Sequence, residues 1–333
     1  MLELSEHNLL DYLRQRHWIG SEPARATTLS GGVSNVVFRV EASDRAFVVK
    51  QSRPRLRTRD AWFSDLERVY REQQVIGVLH ALLPENVPDV LFTDRDNYAF
   101  AMSAAPADAQ VWKALLLAGC VDLGLGTRTG TLLGTMHQAT AEQPGLVEPF
   151  RDHTAFVQLR VDPFYRRVQE RRPEVATPVE RLIEQMLRIR EALCHGDYTP
   201  KNLLVRGSNL MLVDYETAHH GDPTMDLGLC LCHFLLKAIH CSDRRQDYFD
   251  LTRAFWRGYS AAVSFRPIAE LERRGIAHGG ACLLARVDGT SPVDYLTEPA
   301  RVVVRRLGTR ILLDQPAAWE EVLAMCGQEL AVP

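Results

Sequence analysis

The sequence lacks any apolar run long enough to span a bilayer. Its most apolar window, Leu227 to Ile239, is short and carries Lys237, whereas a membrane helix needs about 20 apolar residues. The N-terminus, Met1-Leu2-Glu3-Leu4-Ser5-Glu6-His7, has no basic region followed by an apolar stretch, so no secretory signal is expected. No sign of charge prevails either: 39 Lys and Arg face 42 Asp and Glu, a net of −3. A nucleic-acid binder normally shows a basic face, so neither nucleic acid nor a membrane surface is an expected partner. Cysteine is sparse and unpatterned, at 120, 194, 230, 232, 241, 282 and 326. An odd number without framework spacing points to a reducing cytoplasm. Cys230-x-Cys232-His233 looks like a metal fragment, but Leu229, Leu231, Phe234 and Leu235 around it read as a buried helix. No second ligand pair is present, as a structural zinc site would require.

What is present is a 333-residue chain, 46% hydrophobic and 24% charged, able to bury a sizeable core. Domains of about 150 residues make two lobes the expectation. Leu9, Leu10 and Leu13 repeat at helical spacing within residues 5–17. After the Gly20-Ser21-Glu22-Pro23 break, Val36–Val40 and Arg45–Lys50 read as a β-hairpin around Ala42-Ser43-Asp44. Arg53, Arg55, Arg57 and Arg59 follow as a basic loop, read as solvated rather than phosphate-binding. A helix over 62–83 comes next, then strands at 89–93 and 98–102. From about 104 the pattern is mainly helical, with helices at 127–139, 178–192, 227–239 and 248–262. One β insertion interrupts it: Leu203–Val205, a Gly207-Ser208-Asn209 turn, then Met211–Val213. The organisation is therefore α+β, with a small β-rich lobe at 1–103 and a larger, mainly helical lobe at 104–333.

The informative block is Cys194-His195-Gly196-Asp197-Tyr198-Thr199-Pro200-Lys201-Asn202, followed by the hairpin and Asp214-Tyr215-Glu216. Asp197 and Asn202 lie five apart on a loop, and Asp214 follows twelve residues later on the returning strand. The hairpin is expected to bring these three oxygen-bearing side chains to one end of a small sheet. Such a set suits phosphoryl transfer from a magnesium nucleotide, since Mg²⁺ takes a few hard oxygen ligands plus water and phosphate oxygens. The remaining carboxylate then orients a hydroxyl and accepts its proton. The kinase signature H-R-D-x-x-x-x-N with a later D-F-G is matched in spacing, although Gly196 replaces the Arg and Asp214-Tyr215-Glu216 replaces D-F-G.

These residues, with Gly221-Asp222-Pro223-x-x-Asp226-Leu227, resemble the aminoglycoside phosphotransferase and choline kinase-like family, the small-molecule branch of the protein-kinase-like fold. The resemblance implies a bilobal kinase-like fold and transfer of the ATP γ-phosphate to a small-molecule hydroxyl. Asp197 is the expected base, and Asn202, Asp214 and Glu216 are the expected Mg²⁺ ligands, Glu216 alternatively holding a loop. His195 is expected to brace the loop, and Asp226 to brace it or cap a helix. Gly31, Gly32 and Ser34 lie where a nucleotide-covering loop belongs, with glycine letting backbone N–H groups approach phosphates. Lys50 resembles the strand lysine that contacts the nucleotide phosphates. Glu72 is its preferred partner, with Glu67 the runner-up. Met102, Ser103 and Ala104 fall at the lobe junction, where adenine would meet the backbone. A catalytically silent nucleotide-binding scaffold is the alternative to a kinase.

For the acceptor, residues 217–333 hold 14 acidic and 13 basic side chains. A dedicated binder of polycationic aminoglycosides would show a clearly acidic surface there, so this near balance leans against one. Arg286–Pro292 is a polar island between apolar segments, suited either to sugar recognition or to a plain loop. Trp112 and Trp256 are expected in the core.

Overall fold

The computed structural model describes residues 1–29, 35–43, 45–53 and 65–332. The chain divides into two units, Met1–Ala109 with Met211–Glu216, and Gln110–Leu210 with Thr217–Pro333. The loop residues Gly31, Gly32 and Ser34, and most of the arginine-rich segment, lie outside the described residues.

The first unit is built on an antiparallel sheet ordered β1-β2-β3-β5-β4, from β1 (Arg25–Thr28), β2 (Asn35–Glu41), β3 (Ala46–Ser52), β4 (Val90–Asp94) and β5 (Ala99–Ser103). The hairpin expected from the β-branched runs is the β2–β3 pair, with Val37 opposite Lys50 and Val40 opposite Phe47. Alternation along β2 sends Val36, Phe38 and Val40 to one face, where they meet Phe47 and Val49 of β3 and Leu9, Tyr12 and Leu13 of helix α1 (Leu9–Gln15). Burying a side chain of this kind contributes about 1.5–3 kcal/mol. Helix α2 (Arg68–Leu82) buries Val75, Ile76 and Leu79 at the spacing the sequence shows. Strand β1 was not legible in advance, because Arg25-Ala26-Thr27-Thr28 is mostly exposed and carries no apolar alternation.

The second unit is mostly helical. It opens with β6 (Gln110–Val111), α3 (Trp112–Leu117) and α4 (Leu123–Ala141). The short helices α5 (Pro144–Val147) and α6 (Thr154–Phe156) lead into a ten-residue π-helix, Val157–Arg166, with Pro163 inside it. Helices α7 (Arg167–Arg171) and α8 (Ala176–Arg188) follow, then β7 (Ala192–Cys194), β8 (Leu203–Arg206), β9 (Asn209–Leu212), whose last two residues open the returning segment of the first unit, and β10 (His219–Gly221). Strand β7 pairs with β10, and β8 lies between β6 and β9. The chain ends with α9 (Thr224–His240), α10 (Arg245–Ala262), α11 (Ile268–Asp288), α12 (Glu298–Asp314) and α13 (Trp319–Ala331).

Helix α9 is buried from Thr224 to Ile239, so Cys230, Cys232 and His233 are interior residues of a core helix. Among the described residues, no group of three His, Cys, Asp or Glu gathers as a metal site, and no single helix is long and apolar enough to cross a membrane. Trp112 is fully buried and edge-on to Phe234, 5.4 Å between rings.

Helices α4 and α10 pack backbone to backbone. A Cβ added at Gly130 would stand 2.0 Å from the Phe255 carbonyl oxygen, and one at Gly258 would stand 2.1 Å from that of Thr127. Neither oxygen belongs to a side chain that could swing away. Gly130→Ala is expected to lower stability by about 1–3 kcal/mol or more, measured as a lower urea midpoint. An unchanged midpoint would show that the helices can separate at no cost.

Candidate active site

The first unit supplies a chain of charges around Lys50. This lysine lies on β3, between β2 and β5, opposite Val37 on one side and Phe100 on the other. It is 3% exposed, too little for water to solvate its ammonium. Two carboxylates do so instead, Glu72 at 2.7 Å and Asp214 at 2.6 Å. Burial opposes the Lys50 charge, but Asp214 and Glu72 outweigh it and hold the ammonium firmly protonated. Burial pushes the Glu72 carboxyl up to about 7 against the pull of Lys50, with Asp214 and Glu216 adding to the rise. One ammonium is thus shared between two carboxylates.

Helix α2 is the scaffold for this chain. Arg68 and Glu72, one turn apart, share a face and are both buried. Glu72 Oε1 also accepts the Tyr215 backbone N–H at 3.1 Å, and Arg68 Nε reaches Glu216 Oε2 at 3.3 Å. Asn35 Nδ2 donates to the same Glu216 oxygen at 2.8 Å. The run Asp214-Tyr215-Glu216 is therefore stitched to α2 and β2, and Tyr215 anchors it by donating from its hydroxyl to the Leu212 carbonyl. Asp214 sits at φ 74°, a left-handed conformation uncommon for a residue with a side chain. Glu67, the alternative partner for Lys50, precedes α2. At the end of β5, Met102 is buried opposite Val48, and Ser103 N–H donates to the Asp89 carbonyl. Ala104 lies just beyond the strand.

The second unit supplies the Asp197 loop, which leaves β7 and enters β8. Asp226, in the first turn of α9, is buried and accepts the backbone N–H groups of His195 at 2.7 Å and Gly196 at 2.8 Å. His137 approaches it at 3.3 Å. Burial opposes its charge, but these donors hold its carboxyl below the usual range. His195 Nδ1 accepts the Asp197 N–H at 3.1 Å. Gly196 has φ 75°, and a Cβ there would lie 2.5 Å from the Thr217 carbonyl oxygen, so only glycine fits.

Asp197 is 4% exposed, and its Oδ2 receives Arg160 at 2.6 Å, Lys201 at 2.8 Å and Asn202 at 2.9 Å. The Asn202 amide nitrogen also donates to the Asp197 main-chain oxygen, so both bonds to Asp197 use the amide nitrogen rather than the amide oxygen. Arg160 donates further to the Gly196 and Leu159 carbonyls. Arg160, Arg68 and Asn35 were not singled out from the sequence. The i,i+4 step from Arg68 to Glu72 was a usable signal. Arg160 offered none, because it lies on the π-helix, far from the motif and interrupted by proline.

Each unit thus gathers its own predicted residues. The first assembles Lys50, Glu72, Asp214 and Glu216, and the second assembles Asp197 and Asn202. The architecture is that of the protein-kinase-like fold. A solved structure from Ralstonia eutropha JMP134, described as a putative aminoglycoside phosphotransferase, superposes with a TM-score of 0.56 at 14% identity, covering 98% of each chain. Residues 25–271 match the model of the phosphotransferase enzyme family, to which this chain belongs, and it is a small-molecule kinase. The chain is 23% identical over 291 residues to methylthioribose kinase of Exiguobacterium sibiricum, covering 79% of this chain and 74% of that protein. It is equally 23% identical over 298 residues to 4-hydroxytryptamine kinase of Psilocybe cyanescens, covering 78% and 80%.

A second carboxylate is buried just ahead of α9. Asp222 pairs with Arg274 at 2.5 Å and faces His278 at 3.7 Å. Burial disfavours its charge, yet His278 and Arg274 hold its carboxyl far below the usual carboxylate range. The unfolded chain binds this proton near pH 4, so the contribution of Asp222 is present above that and is lost as pH falls below it. Asp222→Asn is expected to cost about 3–5 kcal/mol at neutral pH and to flatten the acid limb of a stability-against-pH curve. Parallel acid limbs in the two proteins would refute this role.

Proposed function

We propose that this kinase transfers the γ-phosphoryl group of ATP to a hydroxyl of a small molecule, with Asp197 as the base. The observation that carries the reading is the Lys50 ammonium fixed between Glu72 and Asp214. A buried lysine held rigidly at a strand's midpoint is suited to grip the phosphates of a nucleotide rather than to roam in solvent. Met102, Ser103 and Ala104 would offer backbone and apolar surface to the adenine, and the Gly31, Gly32 and Ser34 loop would cover the phosphates.

The residues present suit a magnesium ion. Asp214 shares the Lys50 ammonium with Glu72 and has 28% of its side chain exposed, and the Asn202 amide oxygen is spared from its hydrogen bonds to Asp197. Two hard oxygens are what Mg²⁺ takes from a protein when phosphates and water complete its shell. Asn202 and Asp214 would hold it, and it would neutralise charge on the phosphates. Glu216, already engaged by Arg68 and Asn35, would brace the loop.

In the transfer, the acceptor oxygen forms a bond to the γ-phosphorus, and the bond to the β–γ bridging oxygen breaks. That electron pair leaves with ADP, and the hydroxyl proton passes to Asp197. Arg160 and Asn202 orient this carboxylate, and Lys201, paired with it at 2.8 Å, would meet the moving phosphoryl charge.

ADP release with Mg·ATP against methylthioribose, pentoses and hexoses, homoserine, choline, ethanolamine and aminoglycosides tests this. Asp197→Asn is expected to lower acceptor-dependent release by about 10²–10⁴-fold with nucleotide binding intact. Lys50→Met is expected to weaken Mg·ATP binding. Release that persists in the Asp197 variant would remove that residue from the chemistry, and binding without turnover of any acceptor would favour a silent scaffold.

A further inference from the structure

Among the described residues, a group of cations with no carboxylate at ion-pair distance lies in the second unit beside the Asp197 loop, whose Asp197 carboxylate is the one that acts on Arg286 from further off. Lys237, on α9, is fully buried, and among the described residues its ammonium donates only to the His233 carbonyl, 3.1 Å away on the preceding turn. Arg286, on α11, is partly exposed, and its Nε is buried without a hydrogen-bond partner. Tyr295 also has a buried hydroxyl oxygen with no partner, and its ring lies 5.7 Å from the Lys237 ammonium and 5.8 Å from that of Lys113. The guanidinium groups of Arg286 and Arg160 each sit 5.6 Å from the Phe164 ring, and Arg160 is itself bound to Asp197.

Among the described residues, no carboxylate lies within ion-pair distance of Lys237, Arg286 or Lys113. Other arginines of this unit are differently placed: Arg253 pairs with Glu320, Arg274 with Asp222, Arg305 with Asp288 and Arg310 with Glu329. The near balance of acidic and basic residues over 217–333 therefore conceals a local excess of positive charge. A buried ammonium with no counter-ion is costly, and burial drives such a group toward its neutral form unless negative charge is brought to it. Burial holds the Lys237 ammonium down to about 7, Lys113 and Arg286 adding to the fall and Cys230 and Cys232 opposing it, so it gains most from an arriving anion.

Building on the kinase reading above, we propose that Arg286, Lys237 and the Tyr295 hydroxyl form an anion subsite for the acceptor. The alcohol phosphorylated by this enzyme then carries a carboxylate or a phosphate. A polycationic acceptor would meet Lys113, Lys237 and Arg286 with like charge, which selects against it.

Calorimetric titration tests this with the full chain saturated in Mg²⁺ and AMP-PNP, so that a nucleotide phosphate site is already filled. The probes are inorganic phosphate, gluconate, glucose and glucosamine, the last three sharing a carbon skeleton and differing in charge. Phosphate or gluconate is expected to bind at least about tenfold more tightly than glucose or glucosamine. Which of the two binds better separates a phosphate ester from a carboxylate. Arg286→Met and Lys237→Met are each expected to weaken the anion by about 10- to 100-fold and leave AMP-PNP binding unchanged, with Arg286→Lys recovering part of the loss. Melting curves check that the variants fold. Glucosamine binding as tightly as gluconate, no anion binding at all, or anion binding that survives both Met substitutions would each overturn the proposal. Asp197→Asn keeps the two readings apart: it retains the anion if the subsite exists, whereas the kinase reading stands or falls on turnover.

Discussion

A charged amine placed in the middle of a β-sheet sets a condition that much of the first unit satisfies. Lys50 cannot reach water, and the effective penalty for burying such an ion is several kcal/mol. Glu72 and Asp214 meet it from two elements far apart in sequence, a helix that follows the sheet and a segment that returns more than 130 residues later. Helix α2 must then present Glu72 inward, and Arg68 one turn earlier faces the same way and captures Glu216. The first unit is thus held by a charge network that also closes its fold.

The second unit applies the same rule with carboxylates as the buried ions. Asp226 and Asp222 are each essentially inaccessible, and each is compensated by several donors rather than one. Asp226 spends its oxygens on the backbone of His195 and Gly196, which fixes the path of the loop just ahead of Asp197. The left-handed turn at Gly196 and the Arg160 guanidinium complete that path. The proposed base is thereby oriented by groups that do no chemistry themselves.

Much of this was legible because it was local. The alternation of Val36 to Val40 gave a strand, the spacing of Val75, Ile76 and Leu79 gave a helix, and the step from Asp197 to Asn202 gave the loop. The choice of Glu72 as the preferred partner of Lys50 came from resemblance, with Glu67 the runner-up because the arginine-rich loop made the count uncertain. What sequence left hidden depends on packing between distant segments. Arg160 reaches Asp197 from a π-helix, and the Arg286 island, left open in sequence between sugar recognition and a plain loop, begins within the last turn of α11, where Arg286 Nε is buried without a partner. Strand β1 belongs to the sheet through backbone pairing with β2, to which its side chains give no clue.

The first unit is assembled from two separate stretches of chain, Met1–Ala109 and Met211–Glu216. This has a consequence for the order of events during synthesis. When residue 109 leaves the ribosome, the sheet and α2 are complete, but Asp214 has not yet been made. At the usual elongation rate of about 5–20 residues per second, the gap is on the order of 5–20 s. Through that interval Lys50 has Glu72 as its partner from this network and lacks the second carboxylate. The nascent half-domain must then tolerate hydration of its own interior until the distant segment arrives.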